Sequence, residues 1–226
     1  TSVRDRLRTY RKPVLIGECG LDWAAPRGTL DVAPRAEVGI RHAIWASVVS
    51  GAVSGRMLWW QDGWDQFEKA DVCRHYEQAA APAAAFVQGM DFTGFAPMAC
   101  EAPGLLGGLL GNERRVIGWF RDAQCVPPAW PMPKVRDRVV TLSGVSGRWE
   151  VEYVDPVTGR VIRNALVTAT RGRLKMRLPL FEGSIAMRLV RRDSGRQAAA
   201  AAALGTDRSP GGGNNPLRPS DVILVT

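Results

Sequence analysis

The sequence predicts an α/β region, then an all-β module, then a low-complexity tail, along a chain of 226 residues. Two short apolar runs on either side of a helical pattern indicate a βαβ unit near the N-terminus. Six short strand patterns, several of them separated by turn residues, indicate antiparallel sheets further on. A six-alanine run and a glycine- and asparagine-rich stretch are typical of a disordered tail. We therefore expect an α/β part over 1–95, a connection over 96–112, the module over 113–191 and the tail over 192–226.

Glu18 ends the first predicted strand. The apolar run Val14-Leu15-Ile16 is long enough for a buried strand, and Gly17-Glu18-Cys19-Gly20 follows it directly. In a parallel α/β barrel the carboxyl end of each strand faces the active site. The two glycines let other backbone, or a ligand, approach the carboxylate closely. Glu18 is therefore the first candidate site residue.

A helix and a second strand complete the unit. Residues 37–50 place most apolar side chains on one side, and Gly51 is a suitable stop. Residues 56–60 then read as a second buried strand. Helices are also predicted over 3–10, before the first strand, and over 71–87, where Pro82 is expected to interrupt or restart the helix.

Polar and aromatic side chains follow both predicted strands. Asp22 and Trp23 come after the first, and Asp62 and Trp64 come after the second. Loops at this edge of a barrel carry function, so all four are candidates for lining a cleft. Trp59 and Trp60 point in opposite directions by strand alternation, so one of the two should be in the core.

The segments KPVLIGECGLDW and IRHAIWASVVSGAVSGRMLWWQD resemble the end of the catalytic barrel of clan-A retaining glycoside hydrolases. The likeness is to the cellulase-like and mannanase-like bacterial members that have a C-terminal β domain. The segment WEVEYVDPVTGRVI likewise resembles those β domains, with Asp155 as a turn former. Gln61 stands where a third tryptophan is frequent, and Cys19 where an aromatic is usual.

The resemblance implies a fold and an activity. The fold would be the last two βα units of a (β/α)8 TIM barrel, followed by a small antiparallel β-sandwich domain and the tail. Glu18 would be the catalytic nucleophile, Trp60 the floor of the sugar site and His42, in the intervening helix, a substrate contact. The substrate would be a β-linked poly- or oligosaccharide, no cofactor or metal is implied, and a secreted or periplasmic location is expected.

The acid/base carboxyl of the family lies in an Asn-Glu motif on the fourth barrel strand, which would precede Thr1. Asn112-Glu113 has the letters but falls beside the β module, so we reject it. Retaining hydrolysis needs two carboxyl groups about 5–5.5 Å apart. We therefore expect a C-terminal fragment that lacks the N-terminal part of the barrel and is inactive alone.

Composition limits the other classes of function. No apolar run reaches the roughly 18 residues of a membrane span, so no membrane partner is expected. The four cysteines show no metal-binding spacing and are interpreted as thiols, with a Cys100–Cys125 disulfide as the alternative.

The net charge of +8 is concentrated in the β module. Residues 113–191 hold 15 basic and 7 acidic residues, and the sharpest cluster is Arg171, Arg173, Lys175 and Arg177. Their alternation with small and apolar residues indicates a half-buried strand with a solvated face. A polyanion or nucleic-acid binder is a further hypothesis, but no aromatic residues interleave with the charges, so no nucleic-acid partner is expected.

The β module also has tryptophans of its own. Trp119, Trp130 and Trp149 are interpreted first as packing residues and alternatively as a sugar-binding face. The alternative function is therefore a noncatalytic module that binds carbohydrate or packs against the barrel.

Overall fold

The computed structural model describes residues 3–10, 14, 36–52, 70–126 and 130–192, and the side chains of all these except 4, 8, 36 and 70–76. All of them belong to one compact unit, Thr1–Arg192, while Asp193–Thr226 forms a second unit outside the described residues. The strands predicted at 14–16 and 56–60 also lie outside the described residues, apart from Val14.

The described helices are α1 (Val3–Tyr10), α2 (Ala36–Ser50) and α3 (Ala70–Val87). All three confirm helices predicted from the sequence. Gly51 ends α2 with φ of 86°, a left-handed conformation that glycine adopts without strain. The expected break at Pro82 is wrong, because α3 continues through it. Ala79, Ala83 and Phe86 are buried on one side of α3, and this packing holds the helix together across the proline.

Eleven strands are described, and they form three antiparallel sheets. The six-stranded sheet has the order β1-β3-β4-β11-β7-β8, the three-stranded sheet has the order β2-β6-β9, and β5 pairs with β10. The strands are β1 (Ala96–Met98), β2 (Cys100–Glu101), β3 (Leu105–Gly111), β4 (Arg115–Asp122), β5 (Lys134–Val135), β6 (Val139–Ser143), β7 (Arg148–Val154), β8 (Val161–Thr168), β9 (Arg173–Arg177), β10 (Phe181–Glu182) and β11 (Ser184–Arg192).

The six predicted strands correspond to β4, β6, β7, β8, β9 and β11. The expectation of a connection over 96–112 needs correction, because β1, β2 and β3 lie there. The glycines of β3 are needed for close strand pairing and not for a loop. A Cβ on Gly107 would lie 2.0 Å from the carbonyl oxygen of Trp119, and one on Gly111 would lie 2.3 Å from that of Arg115.

The turn between β7 and β8 is built by Asp155, as the sequence indicates. Its carboxylate accepts hydrogen bonds from the backbone N–H of Val157 at 2.9 Å and from the hydroxyl of Thr158 at 2.7 Å. Its backbone carbonyl accepts from Gly159 at 2.8 Å. These bonds account for Asp155 as a residue that builds the turn.

Two hydrophobic cores lie on opposite faces of the six-stranded sheet. The first fills the space between this sheet and the three-stranded one, and its members include Val140, Leu142, Trp149, Val151, Tyr153, Leu174, Met176, Ile185, Met187 and Leu189. The second joins the other face to the helices through Leu110, Ile117, Trp119, Val154 and Ala186 on the sheet, Ile40, Ile44, Trp45 and Val49 on α2, and Ala79, Ala83 and Phe86 on α3. The helices and the sheets are therefore parts of one packed body.

Polar contacts add to the second core. The indole N–H of Trp45 donates to the carbonyl of Pro156 at 3.2 Å, which ties α2 to the β7–β8 turn. The guanidinium of Arg188 lies 4.6 Å from the ring centroid of Phe86 on α3. No described helix is long and apolar enough to cross a membrane.

Candidate functional site

Most of the candidate catalytic and sugar-binding residues lie outside the described part of the chain. These are Glu18, Trp23, Trp60, Asp62 and Trp64. Their roles stay predictions. The structure does describe the helix between the two predicted strand ends, because α2 follows the stretch that contains Glu18 and precedes the one that contains Trp60.

His42 is the one candidate that the structure places. It projects from α2 and is only 4% exposed. Its ring centroid lies 5.3 Å from that of Trp119 on β4 and 5.5 Å from that of Trp130. The same turn of α2 carries Gly39, where an added Cβ would lie 2.8 Å from the Trp130 ring. Glycine at 39 thus lets the indole lie against the helix beside His42.

The surroundings of His42 keep its imidazole neutral. Burial, together with the positive charges of Arg121 and Arg41, lowers the pKa of His42 to about 3. Among the described residues, neither ring nitrogen has a hydrogen-bond partner. An imidazole with this pKa is neutral and only weakly basic near pH 7, so His42 is unsuited to general acid–base catalysis there. The environment is that of a packed side chain, and contact with a sugar stays a prediction.

The tryptophans of the β module form no exposed platform. Trp119, Trp130 and Trp149 are all buried, with exposures of 2%, 8% and 0%. The indole N–H of Trp149 donates to the carbonyl of Ser146 at 3.0 Å. The exposed large aromatic side chains of the described residues are Tyr10 and Phe92, and neither is on a strand. The interpretation of these tryptophans as packing residues agrees with their burial.

Metal and disulfide chemistry is not indicated by the described residues. They contain no group of three or more histidine, cysteine, aspartate or glutamate side chains that could hold a metal ion. Cys100 and Cys125 carry thiols and not a disulfide. The thiol of Cys125 lies 3.9 Å from the sulfur of Met132, within the small cluster that also holds Val38 and Trp130.

The strongest surface feature is the cationic face of β9. Arg173, Lys175 and Arg177 are exposed, whereas Leu174 and Met176 between them are fully buried. This confirms the half-buried strand predicted from the alternation. Arg163 of β8 also reaches this strand, although no pattern in the sequence indicates it. Its guanidinium donates to the carbonyl of Arg177 at 2.7 Å, a contact set by the folding of the two sheets and not by any local pattern.

No family model matches the chain, and no curated protein matches it. Several solved structures do match. One described as "Glycoside hydrolase" has 11% identity and a TM-score of 0.40 over 70% of this chain and 38% of its own. An alpha-L-fucosidase isoenzyme 2 from Paenibacillus thiaminolyticus has 13% identity and a TM-score of 0.31 over 64% of this chain and 22% of its own.

A GH30 endoxylanase from Clostridium papyrosolvens C71 has 13% identity and a TM-score of 0.41 over 85% of this chain and 47% of its own. The present chain thus spans less than half the length of each of these three structures. All three are glycoside hydrolases by description. With TM-scores below 0.5, they establish no family for the chain.

Proposed function

We propose that the chain is the C-terminal part of a retaining glycoside hydrolase, with Glu18 as the nucleophile of a TIM-barrel catalytic domain. The proposal rests on two sequence motifs, each at the end of a predicted strand. An apolar run ends in Gly17-Glu18-Cys19-Gly20, and the next ends in Trp59-Trp60-Gln61-Asp62. Glu18 would form the glycosyl-enzyme intermediate, and a second carboxyl outside this sequence would protonate the leaving oxygen.

The described helices support this organisation. The helix expected between the two predicted strands is present as α2, and α3 comes after the segment predicted as the second strand. Helix after strand is the repeating unit of such a barrel. On this proposal Trp60 forms the floor of the sugar site, while Trp23, His42, Asp62 and Trp64 line or support the cleft over a β-linked poly- or oligosaccharide.

The β module would be an accessory β-sandwich that packs against the barrel. The second core supports this role, because it buries α2 and α3 directly on the six-stranded sheet. A module that captured neutral sugar by stacking on its tryptophans would need those rings exposed, and Trp119, Trp130 and Trp149 are buried. Packing is therefore favoured over carbohydrate binding by tryptophans as the function of the module.

The test uses the protein encoded by the complete gene, assayed on β-linked glucan, mannan and xylan. Glu18→Gln should lower activity by at least about a thousandfold, since the covalent intermediate cannot form. Glu77→Gln on the exposed side of α3 is the matched control and should retain activity. Azide added to Glu18→Ala should restore turnover of an activated aryl glycoside and give the glycosyl azide of inverted configuration.

Three results would contradict the proposal or a part of it. The first is full activity of Glu18→Gln. The second is inversion of configuration by the wild-type enzyme, because the roles assigned to the two carboxyl groups belong to retention. Efficient hydrolysis by the 226-residue chain alone would contradict the assignment of the acid/base to a preceding segment.

A further inference from the structure

The outer face of the three-stranded sheet carries a row of cations along its edge strand. Arg173, Lys175 and Arg177 point to this face at every second residue of β9, which spaces them about 6.6–6.8 Å apart. Their partners across the ladder on β6 are Ser143, Thr141 and Val139, which carry no charge. The β6 positions beside the cations are therefore neutral, and the acidic Glu101 of β2 lies beyond Thr141 on the same face.

Two more arginines extend the row at its ends. The Arg163 guanidinium lies 5.0 Å from the ring centroid of Tyr153 and donates to the backbone carbonyl of Arg177, which also accepts from the Tyr153 hydroxyl at 3.3 Å. Arg163 is thus held at the seam where β8 meets β9. Arg171 is exposed at the other end, in the turn that precedes β9. We call Arg163, Arg171, Arg173, Lys175 and Arg177 the β9 cation row.

Little negative charge offsets the β9 cation row. Arg173 forms an ion pair with Glu101 of β2 at 2.6 Å, and both side chains are about half exposed. Lys175 and Arg177 form no ion pair with any described residue. Two adjacent cations of β9 are therefore available to an anionic partner, and the Arg173–Glu101 pair is weak enough in water to exchange for one.

Arg171 occupies a backbone position that arginine does not favour. Thr170 and Arg173 exchange both backbone hydrogen bonds, at 2.9 and 3.1 Å, around a two-residue turn. Arg171 and Gly172 at its centre have φ of 51° and 74°. This is the geometry of a type I′ turn, in which asparagine, aspartate or glycine is preferred at the first central position. A cation is kept there at a cost in backbone strain.

Protection of an edge strand explains part of the pattern. Charges on an exposed edge prevent pairing with another chain, and β9 is an edge of its sheet. Protection of the edge does not explain Arg171, because Arg171 lies in the turn before β9 and not on the edge strand itself. Backbone strain at an exposed residue such as Arg171 is a reason to look for a functional role.

We propose that the β9 cation row binds a linear carboxylated polysaccharide, such as a chain of uronic acid residues. Arginine forks bind carboxylates in bidentate fashion, and a regular row of cations complements a polymer with regularly placed carboxylates. No exposed aromatic side chain lies on β8 or β9, so single-stranded nucleic acid would find no stacking surface there. The choice of a polysaccharide among anionic polymers rests on the proposed glycosidase function.

The test measures binding of the 226-residue chain to polygalacturonate at 50 mM NaCl, with neutral mannan and duplex DNA as comparison polymers. The double variant Lys175→Gln/Arg177→Gln should weaken binding to polygalacturonate by about tenfold or more. Arg114→Gln/Arg115→Gln removes two exposed cations from the end of the β3–β4 turn and the start of β4, and is the control of equal charge. It should change binding by less than about twofold. The charge-preserving double variant Lys175→Arg/Arg177→Lys should bind within about threefold of wild type.

Arg171→Asn separates binding from folding. Asparagine tolerates the left-handed conformation better than arginine, so the variant should unfold at a temperature roughly 2–5 °C higher. Its binding to polygalacturonate should fall by about threefold or more. A variant that is more stable and yet binds less tightly cannot owe its loss of binding to misfolding.

Several outcomes would overturn the proposal. Equal losses from the β9 and the β3–β4 double variants would show attraction by net charge alone. Tighter binding to duplex DNA than to polygalacturonate would identify nucleic acid as the partner. Binding of wild type to mannan as tight as to polygalacturonate would remove the role of the carboxylates. Because no outcome depends on catalysis, failure here leaves the role of Glu18 standing, and loss of activity in Glu18→Gln leaves this binding untouched.

Discussion

At the scale of single residues, His42 shows how the fold sets the chemistry of a side chain. The imidazole packs beside two indole rings, and neither of its nitrogens has a hydrogen-bond partner in the described part of the chain. Burying polar nitrogen without a partner costs free energy, and burying a charged imidazole costs more. The folded protein therefore holds His42 neutral, and burial together with two nearby arginines lowers its pKa to about 3.

This lowered pKa predicts acid sensitivity. In the unfolded chain His42 has its ordinary pKa near 6.5, so below that pH the unfolded state binds a proton that the folded state does not. Stability is therefore lost as the pH falls from about 6.5 toward 3, and by pH 5 the loss from His42 is roughly 2 kcal/mol. The free energy of unfolding, measured by urea denaturation at pH 7, 6 and 5, checks this loss.

The variant His42→Phe tests the assignment. Phenylalanine keeps a ring between the two indoles and removes the titration, so the free energy of unfolding should change less between pH 7 and pH 5 than in wild type. His75→Gln alters the other histidine of the chain and should keep the wild-type pH dependence. If His42→Phe retains the full loss, the acid sensitivity does not come from His42.

At the scale of elements, the strands that alternate apolar and polar residues could be predicted from sequence, and β3 could not. In β9 the alternation of Arg173, Leu174, Lys175 and Met176 directly reports one buried and one solvated face. The sequence LLGGLLG of β3 has no such signal and has the composition of a loop. Its glycines are explained only by strand partners that a local window does not contain.

A substitution at Gly107 tests whether the glycines of β3 are needed for close pairing with β4. A Cβ there would lie 2.0 Å from the carbonyl oxygen of Trp119, on a residue with φ of 153°. Gly107→Ala must push β3 from β4 and should cost about 3–5 kcal/mol or prevent folding. Gly144→Ala is the control, since its Cβ would meet nothing within 4 Å and only its φ of 77° opposes the change. It should cost about 1–2 kcal/mol. Equal denaturation midpoints for the two variants would contradict this account.

The candidate site was predictable in part for the same physical reason. Glu18 is marked by an apolar run and flanking glycines that are local in sequence, so it can be proposed without a structure. The environment of His42 depends on Trp119 and Trp130, which lie far along the chain and contact it only after folding. The local sequence around His42 does not indicate these partners. Likewise, the local sequence around Arg163 does not indicate its hydrogen bond to the carbonyl of Arg177.

At the scale of the whole molecule, the six-stranded sheet packs against other elements on both faces, while its edge strand β8 stays largely exposed. One face forms the core with the three-stranded sheet, and the other receives α2 and α3. Each large apolar side chain buried between helix and sheet contributes about 1.5–3 kcal/mol. The net stability of a domain is typically only about 5–15 kcal/mol, so the loss of a few of these contacts would be a large fraction of it. The helices are thus part of the stability of the β module.

This packing predicts that α2 and the sheet open together. Trp45 is fully buried against the sheet and bonded to Pro156, while Val151 lies in the core between the sheets. Amide hydrogen exchange of the 226-residue chain should therefore protect Ile44 and Trp45 to within about tenfold of Val151, since amides in one cooperative unit share its opening free energy. The variant Trp45→Ala should lose this link, and exchange in α2 should accelerate much more than exchange at Val151. Exchange of α2 that is faster than at Val151 by several orders of magnitude in wild type would show that the helices open independently of the sheet.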